Sequence, residues 1–267
     1  MELLRYPFFQ NALVGSLFVC IACGIVGAYI VSRRLVFIAG GVTHASFGGL
    51  GLGFFLGINP ILSALAFSIA SALGVEWLSQ RQGVREDSAI AAFWALGMAF
   101  GVICVYLTPG YAPNISAWLF GSILTITIAD LWLAGILAFL LVIGFLLFFR
   151  PVLYAAFDRE FAQTQGVRVV LIERLMMLAI AVTVVASIRL MGIMLLMSLL
   201  TIPQMTANIF TSSFRKMLVL SVLFGIAGCF SGLLASYWLN VPSGAAIIFI
   251  QALLFLTCKA AKQILPY

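Results

Sequence analysis

Long apolar runs, interrupted by short polar or prolyl breaks, set the pattern of this chain. Nine runs can be drawn, over about 9–32, 36–57, 61–80, 89–108, 127–149, 172–188, 192–211, 217–238 and 243–260. Most are near the roughly 20 residues that a helix needs to cross about 30 Å of hydrocarbon. The breaks carry turn chemistry: Asn59-Pro60, Pro109-Gly110, Pro113-Asn114, Arg150-Pro151 and Val241-Pro242-Ser243-Gly244. The runs are apolar on every face, without the short alternation of a transmembrane β-strand. The pattern predicts an all-α, polytopic transmembrane helical bundle of eight or nine membrane segments, forming one transmembrane domain over residues 1–267. Gly192 and Pro203 predict a broken helix among the later runs. Residues 114–126 are apolar but too short to span, which predicts a partial, re-entrant helix there. The first run is too long, and starts too late, for a signal peptide.

Composition sharpens the class. Of 267 residues, 64% are hydrophobic and 8% charged, against about 45–50% and about 25% in soluble domains. Mean hydropathy is +1.21. A water-soluble globule and a disordered chain are both excluded. The formal net charge is +6, from 14 Lys and Arg against 8 Asp and Glu. In a soluble protein that excess would suggest nucleic acid. Here it orients the chain, because cytoplasmic loops collect Lys and Arg. If every run crosses, Arg33, Arg34, Arg81, Arg85, Arg150, Arg159, Arg168, Arg174, Arg215, Lys216, Lys259 and Lys262 share one side, and only Arg5 and Arg189 take the other. That pattern predicts a multi-pass protein of the cell (plasma or inner) membrane, N-terminus outside and C-terminus cytoplasmic, with lipid and not nucleic acid around it. Tyr106, Tyr111, Trp118, Tyr237 and Trp238 then form an outer aromatic belt.

Ionisable groups inside the membrane are functional candidates, and few are present. Glu76, Asp130 and Arg189 lie near run ends and reach the interface. His44, the single histidine, lies ten residues beyond Arg34, about 15 Å along a helix and so near the midplane. Gly40 and Gly48 are its i±4 neighbours, and Thr43 and Ser46 add hydroxyls. A glycine-smoothed face lets helices approach closely or leaves a cavity. The imidazole is either a foothold for a translocating cation or a histidine bonded to a neighbouring helix. One imidazole cannot close a four-ligand zinc site, so any binding is weak, as transport requires.

Other constellations weigh less. Cys20 and Cys23 share a helix face, but all five cysteines lie in apolar runs and read as small buried hydrophobes. Met191, Met194 and Met197 repeat at three-residue spacing, which suits helix packing better than soft-metal binding. The loop over about 150–174 is the longest polar stretch, and Asp158 to Gln165 predicts a short helix with Asp158 as N-cap and Gly166 just past its end. It is either a docking element or a solvated loop. No Walker A loop, G-x-S-x-G or H-E-x-x-H occurs, so the chain carries no ATPase or other enzymatic apparatus of its own.

Taken in order, several segments resemble the permease subunits of ABC importers for zinc, manganese and related metals. They are Phe9-Gln10-Asn11-Ala12-Leu13 with Gly24-Ile25-Val26-Gly27 and Arg33-Arg34; Thr43-His44-Ala45; Val84-Arg85-Glu86-Asp87-Ser88-Ala89-Ile90; Leu119-Phe120-Gly121-Ser122-Ile123-Leu124; Phe157-Asp158-Arg159-Glu160-Phe161-Ala162 with Gly166-Val167; and Val241-Pro242-Ser243-Gly244. The resemblance implies a homodimeric or pseudo-dimeric permease working with a cytoplasmic ATP-binding subunit and an extracytoplasmic metal-binding protein. It implies that Asp158, Glu160, Phe161, Ala162 and Gly166 engage the ATPase. It implies that His44, on a translocation-path helix with Gly40, Thr43 and Gly48, contacts a transported zinc or manganese ion, with no cofactor bound tightly. One departure stands out: the family often carries an Asp four residues before this His, and Gly40 occupies that place. Three readings follow: an ATP-driven divalent-metal permease, a permease of the same kind for a metal chelate, and a self-coupled secondary transporter.

Overall fold

The computed structural model describes residues 6–109, 123 and 126–264. Arg5, Tyr111, Trp118, and all of 114–126 except Ile123 and Ile126 lie outside the described residues. The described chain is helical: α1 (Pro7–Ser32), α2 (Val36–Leu56), α3 (Pro60–Gln82), α4 (Glu86–Leu107), α5 (Ile128–Leu147), α6 (Phe149–Phe157), α7 (Arg159–Thr164), α8 (Val169–Met191), α9 (Ile193–Leu199), α10 (Ile202–Phe210), α11 (Phe214–Leu239) and α12 (Ser243–Ile264). Nine stretches among the described residues are long and apolar enough to cross a membrane, the seventh being α9 with α10.

Local chemistry sets the boundaries. Asn59 caps α3, its side-chain oxygen accepting from the Ile61 amide at 3.0 Å, with Pro60 in the first turn. Thr127 and Asp130 form a reciprocal capping box at the start of α5. Asp130 also pairs with Arg189 at the end of α8, 3.1 Å away, so the two groups expected to reach the interface singly meet each other. Glu76 likewise meets Arg174 at 3.5 Å. The predicted broken helix is present: Gly192 (φ 77) separates α8 from α9, and Pro203 opens α10.

α2 runs through the bundle, its buried side chains spread around the helix. Its glycines let α3 and α4 reach it backbone to backbone. A Cβ on Gly49 would fall 2.5 Å from the Ser63 carbonyl oxygen, and one on Gly97 of α4 would fall 2.6 Å from the Cα of Ala45. By contrast α5 turns Trp132, Phe139, Leu140 and Leu146 outward, as a lipid-facing helix does.

The loop expected over 150–174 is mostly helix. Val152, Ala155 and Ala156 form a buried face on α6, and Pro151 sits in its first turn, where a missing N–H costs little. This end of the bundle has its own apolar cluster, joining Tyr29, Phe145, Ala155, Ala162, Met176 and Phe214. At its edge lies Glu173, 8% exposed. Its Oε1 is 3.0 Å from the Arg33 guanidinium and its Oε2 is 3.5 Å from that of Arg159. Arg33 also donates to the Ala155 carbonyl at 3.2 Å. One carboxylate thus holds the end of α1, the short helix α7 and the start of α8 together.

Two outcomes check this packing. Gly48→Leu puts a Cβ 2.8 Å from the Gly97 carbonyl oxygen and is expected to cost about 1–3 kcal/mol or more by overpacking. The matched Gly144→Leu, with nothing within 4 Å, is expected to be tolerated, as read by monodisperse yield and melting temperature in detergent. Glu173→Gln removes the negative charge that two arginines share and is expected to cost about 1–3 kcal/mol, below the ~3–5 of a wholly buried pair because both arginines reach solvent. Protease cutting between α6 and α8 is expected to quicken in that variant, and an unchanged digestion rate would count against the clasp.

Candidate functional site

His44 sits near the middle of α2, with Gly40 one turn before it and Gly48 one turn after. Its ring stacks flat on Trp94 of α4, centroids 4.2 Å apart and planes 6° apart. Stacking fixes the plane of the imidazole and leaves its nitrogens at the ring edge. The Nδ1 atom is buried and has no hydrogen-bond partner among the described residues. Buried polar atoms are nearly always paired, so this edge is an unsatisfied donor or acceptor in an otherwise apolar interior.

The rest of the stripe divides into open and closed positions. At Gly40 a Cβ would lie 2.9 Å from the Met197 terminal methyl and 3.6 Å from the Trp94 ring. The thioether of α9 therefore lies over the place where a side chain at 40 would project. Thr43 and Ser46 are wholly buried, and their hydroxyl protons go to the Ala39 and Thr43 carbonyls at 2.5 and 2.6 Å, which leaves only oxygen lone pairs facing the stripe. Gly48 is closed by the α4 backbone and Phe67, which makes it a packing position and not an open wall. The sequence singles out His44 but does not announce what packs around this stripe. The signal for Met197 was present in the three-residue methionine spacing, of which Met191 turns inward and Met194 outward. Trp94 carried no signal.

The broken helix brings further polar groups into the interior. Gln204, wholly buried on α10, donates to the Cys23 and Leu199 carbonyls at 2.8 and 3.1 Å. Its side-chain oxygen has no partner among the described residues. It thus reaches the Leu199 carbonyl at the end of α9, where the break leaves acceptors unpaired, and ties α10 to the middle of α1. Ser198 donates to Gln251 of α12 at 2.8 Å. Cys20 faces Cys229 across α1 and α11 at 3.6 Å, and all five cysteines are free. No group of three or more His, Cys, Asp and Glu that could hold a metal occurs among the described residues.

The segment Asp158–Gly166 has the local form the sequence predicts. The Asp158 side chain accepts from the Phe161 amide at 2.9 Å, and Gly166 (φ 74) follows the end of α7 in the left-handed region. Ala162 is fully buried against the bundle, whereas Phe157, Glu160 and Phe161 face outward. Phe161 packs edge-on against Tyr154 at 5.2 Å. An acidic, aromatic knob is thus anchored from beneath by Ala162 and held sideways by the Arg159–Glu173 contact. This segment and the His44 stripe are separate regions of the molecule.

The sequence profile of the ABC 3 transport family matches residues 5–262. The chain is 38% identical over 263 residues to an uncharacterised membrane protein of Synechocystis sp., covering 98% of this chain and 94% of that one. It is 32% identical over 255 residues to the manganese transport system membrane protein MntC of Halalkalibacterium halodurans, covering 95% and 87%. In three dimensions it is similar to PsaBC from Streptococcus pneumoniae, solved in complex with Fab, with a TM-score of 0.87, 25% identity and 98% and 97% coverage. The match spans nearly the whole chain, and the chain belongs to the ABC 3 transport family as a multi-pass permease of the metal-importer type.

Proposed function

We propose that this permease carries a divalent metal ion, zinc or manganese, inward across the cell membrane. ATP hydrolysed on a cytoplasmic partner bound at Asp158–Gly166 drives it, and an extracytoplasmic metal-binding protein delivers the ion. The single observation that carries the reading is the His44 imidazole edge: buried, unpaired and held flat by Trp94 in a lipid-embedded helix. A weakly coordinating point of that kind lets an ion enter and leave. The absence of a Walker A loop in the sequence and the exposed knob around Glu160 support a separate ATPase. The basic residues gathered at that end support its cytoplasmic placement, with the N-terminus outside. One imidazole per chain supports a homodimer, in which a second copy doubles the donors.

Two supports pull on the metal in opposite directions. The relatives named for manganese transport favour manganese. An imidazole on a helix where a thioether covers position 40, in place of the carboxylate the resemblance leads one to expect there, suits zinc better than a hard ion. The same missing carboxylate favours, as a second reading, a cargo that brings its own ligands, such as a metal chelate. Accumulation of zinc, manganese and iron in cells with and without the chain, supplied as free ions and as chelates, separates these readings.

His44→Ala is expected to cut metal uptake by about tenfold or more, the scale on which losing one ligand-class contact acts, with the ATPase still co-purifying. Undiminished uptake would remove His44 from the path. Glu160→Lys is expected to abolish co-purification of the ATPase while leaving the permease folded. A cysteine placed at Gln163 is expected to react with impermeant reagents only from the cytoplasmic side, and labelling from outside would reverse the orientation.

A further inference from the structure

We propose that a groove between α1, α5 and α11 holds one anionic phospholipid, its phosphate seated between Arg150 and Arg215. The groove has a volume of about 730 Å³. Ile21 and Ile25 of α1 and Val142 and Phe145 of α5 wall it, and its only charged lining residues are the two arginines. On α11 seven positions separate Arg215 from Val222, both of which line the groove, about 10 Å of helical rise. That depth fits within one leaflet, about 15 Å of hydrocarbon.

The mouth is built for an anion by two independent features. Both arginines stand exposed at the rim of the apolar groove, and among the described residues they, like Arg34, Arg81, Arg85 and Arg168 and unlike Arg33, Arg159, Arg174 and Arg189, have no carboxylate partner. Each arginine also lies in the first turn of a helix, α6 and α11, and neither helix has a side-chain cap. Positive charge at a helix N-terminus is disfavoured by the free amides and the helix dipole. An anion placed there meets both guanidinium groups and the first-turn amides of α11, while Pro151 leaves the α6 turn with few. Lys216, exposed beside Arg215, adds to the field. A free phosphate ion would answer the cations but leave the apolar walls bare. A zwitterionic lipid would cover the walls but bring a second cation to the mouth. An anionic phospholipid matches both ends.

The test uses the full-length chain in mild detergent, read by native mass spectrometry with phosphatidylglycerol and phosphatidylcholine of the same acyl chains in equal amounts. The wild-type chain is expected to retain phosphatidylglycerol by about tenfold or more, on the scale of two interfacial arginines. Arg150→Gln with Arg215→Gln is expected to bring the two lipids level, whereas Arg81→Gln with Arg168→Gln leaves the preference intact. Equal retention of the lipids, a preference surviving in the Arg150 and Arg215 double variant, or its erasure by millimolar inorganic phosphate would each overturn the proposal. So would efficient disulfide crosslinking between copies carrying Leu146→Cys, since a second copy would then fill the groove.

Discussion

Everything in this bundle depends on how closely backbone can approach backbone around α2. Hydrocarbon offers no hydrophobic drive to bring helices together, so contact must come from dispersion over smooth, small-residue faces. Gly49 against Ser63, Gly97 against Ala45 and Gly48 against the Gly97 carbonyl supply that contact. The same closeness seals most of the stripe. What remains available at mid-helix is one imidazole edge, pinned by Trp94, with a methionine methyl over position 40 a turn away. The site is defined less by what the protein adds there than by what the surrounding packing leaves unpaired.

Much of this was legible in the residues. Run lengths and turn dipeptides predicted the helices, and Gly192 and Pro203 predicted the break. Asp158 and Gly166 marked the ends of a six-residue helix, because capping is a local, side-chain-to-backbone matter. What was not legible depended on contacts between distant segments. Nothing in the sequence pairs Glu173 with Arg33, 140 positions away, or sets Trp94 on His44. The stretch after Arg150 read as loop because its polar and charged residues hide an apolar face, Val152, Ala155 and Ala156, which becomes evident only when α8 is there to cover it. The glycine stripe was legible as smooth, but smoothness alone does not say whether a neighbour fills it. Here α4 does at Gly48, and Met197 covers Gly40.

The two ends of the molecule are organised differently. At the arginine-rich end, a carboxylate shared by two guanidiniums ties together α1, α7 and α8, above a compact apolar cluster. At the other end, the Asp130–Arg189 pair joins the start of α5 to the end of α8. α8 is thus tied by ion pairs at both extremities, and the knob carrying Glu160 is linked through Arg159 to the carboxylate that also holds Arg33. Ion pairs of this kind add little net stability for their burial, but they set which segments move together.

Gly192 holds φ 77 and ψ 164, a region open essentially to glycine alone. The joint between α8 and α9 is therefore one that no side chain can stiffen. The seven-residue α9 starts from that joint with Ile193, Leu195, Leu196 and Leu199 buried. The direction in which this one glycine sends the chain out of α8 therefore decides where the Met197 thioether comes to rest, over position 40.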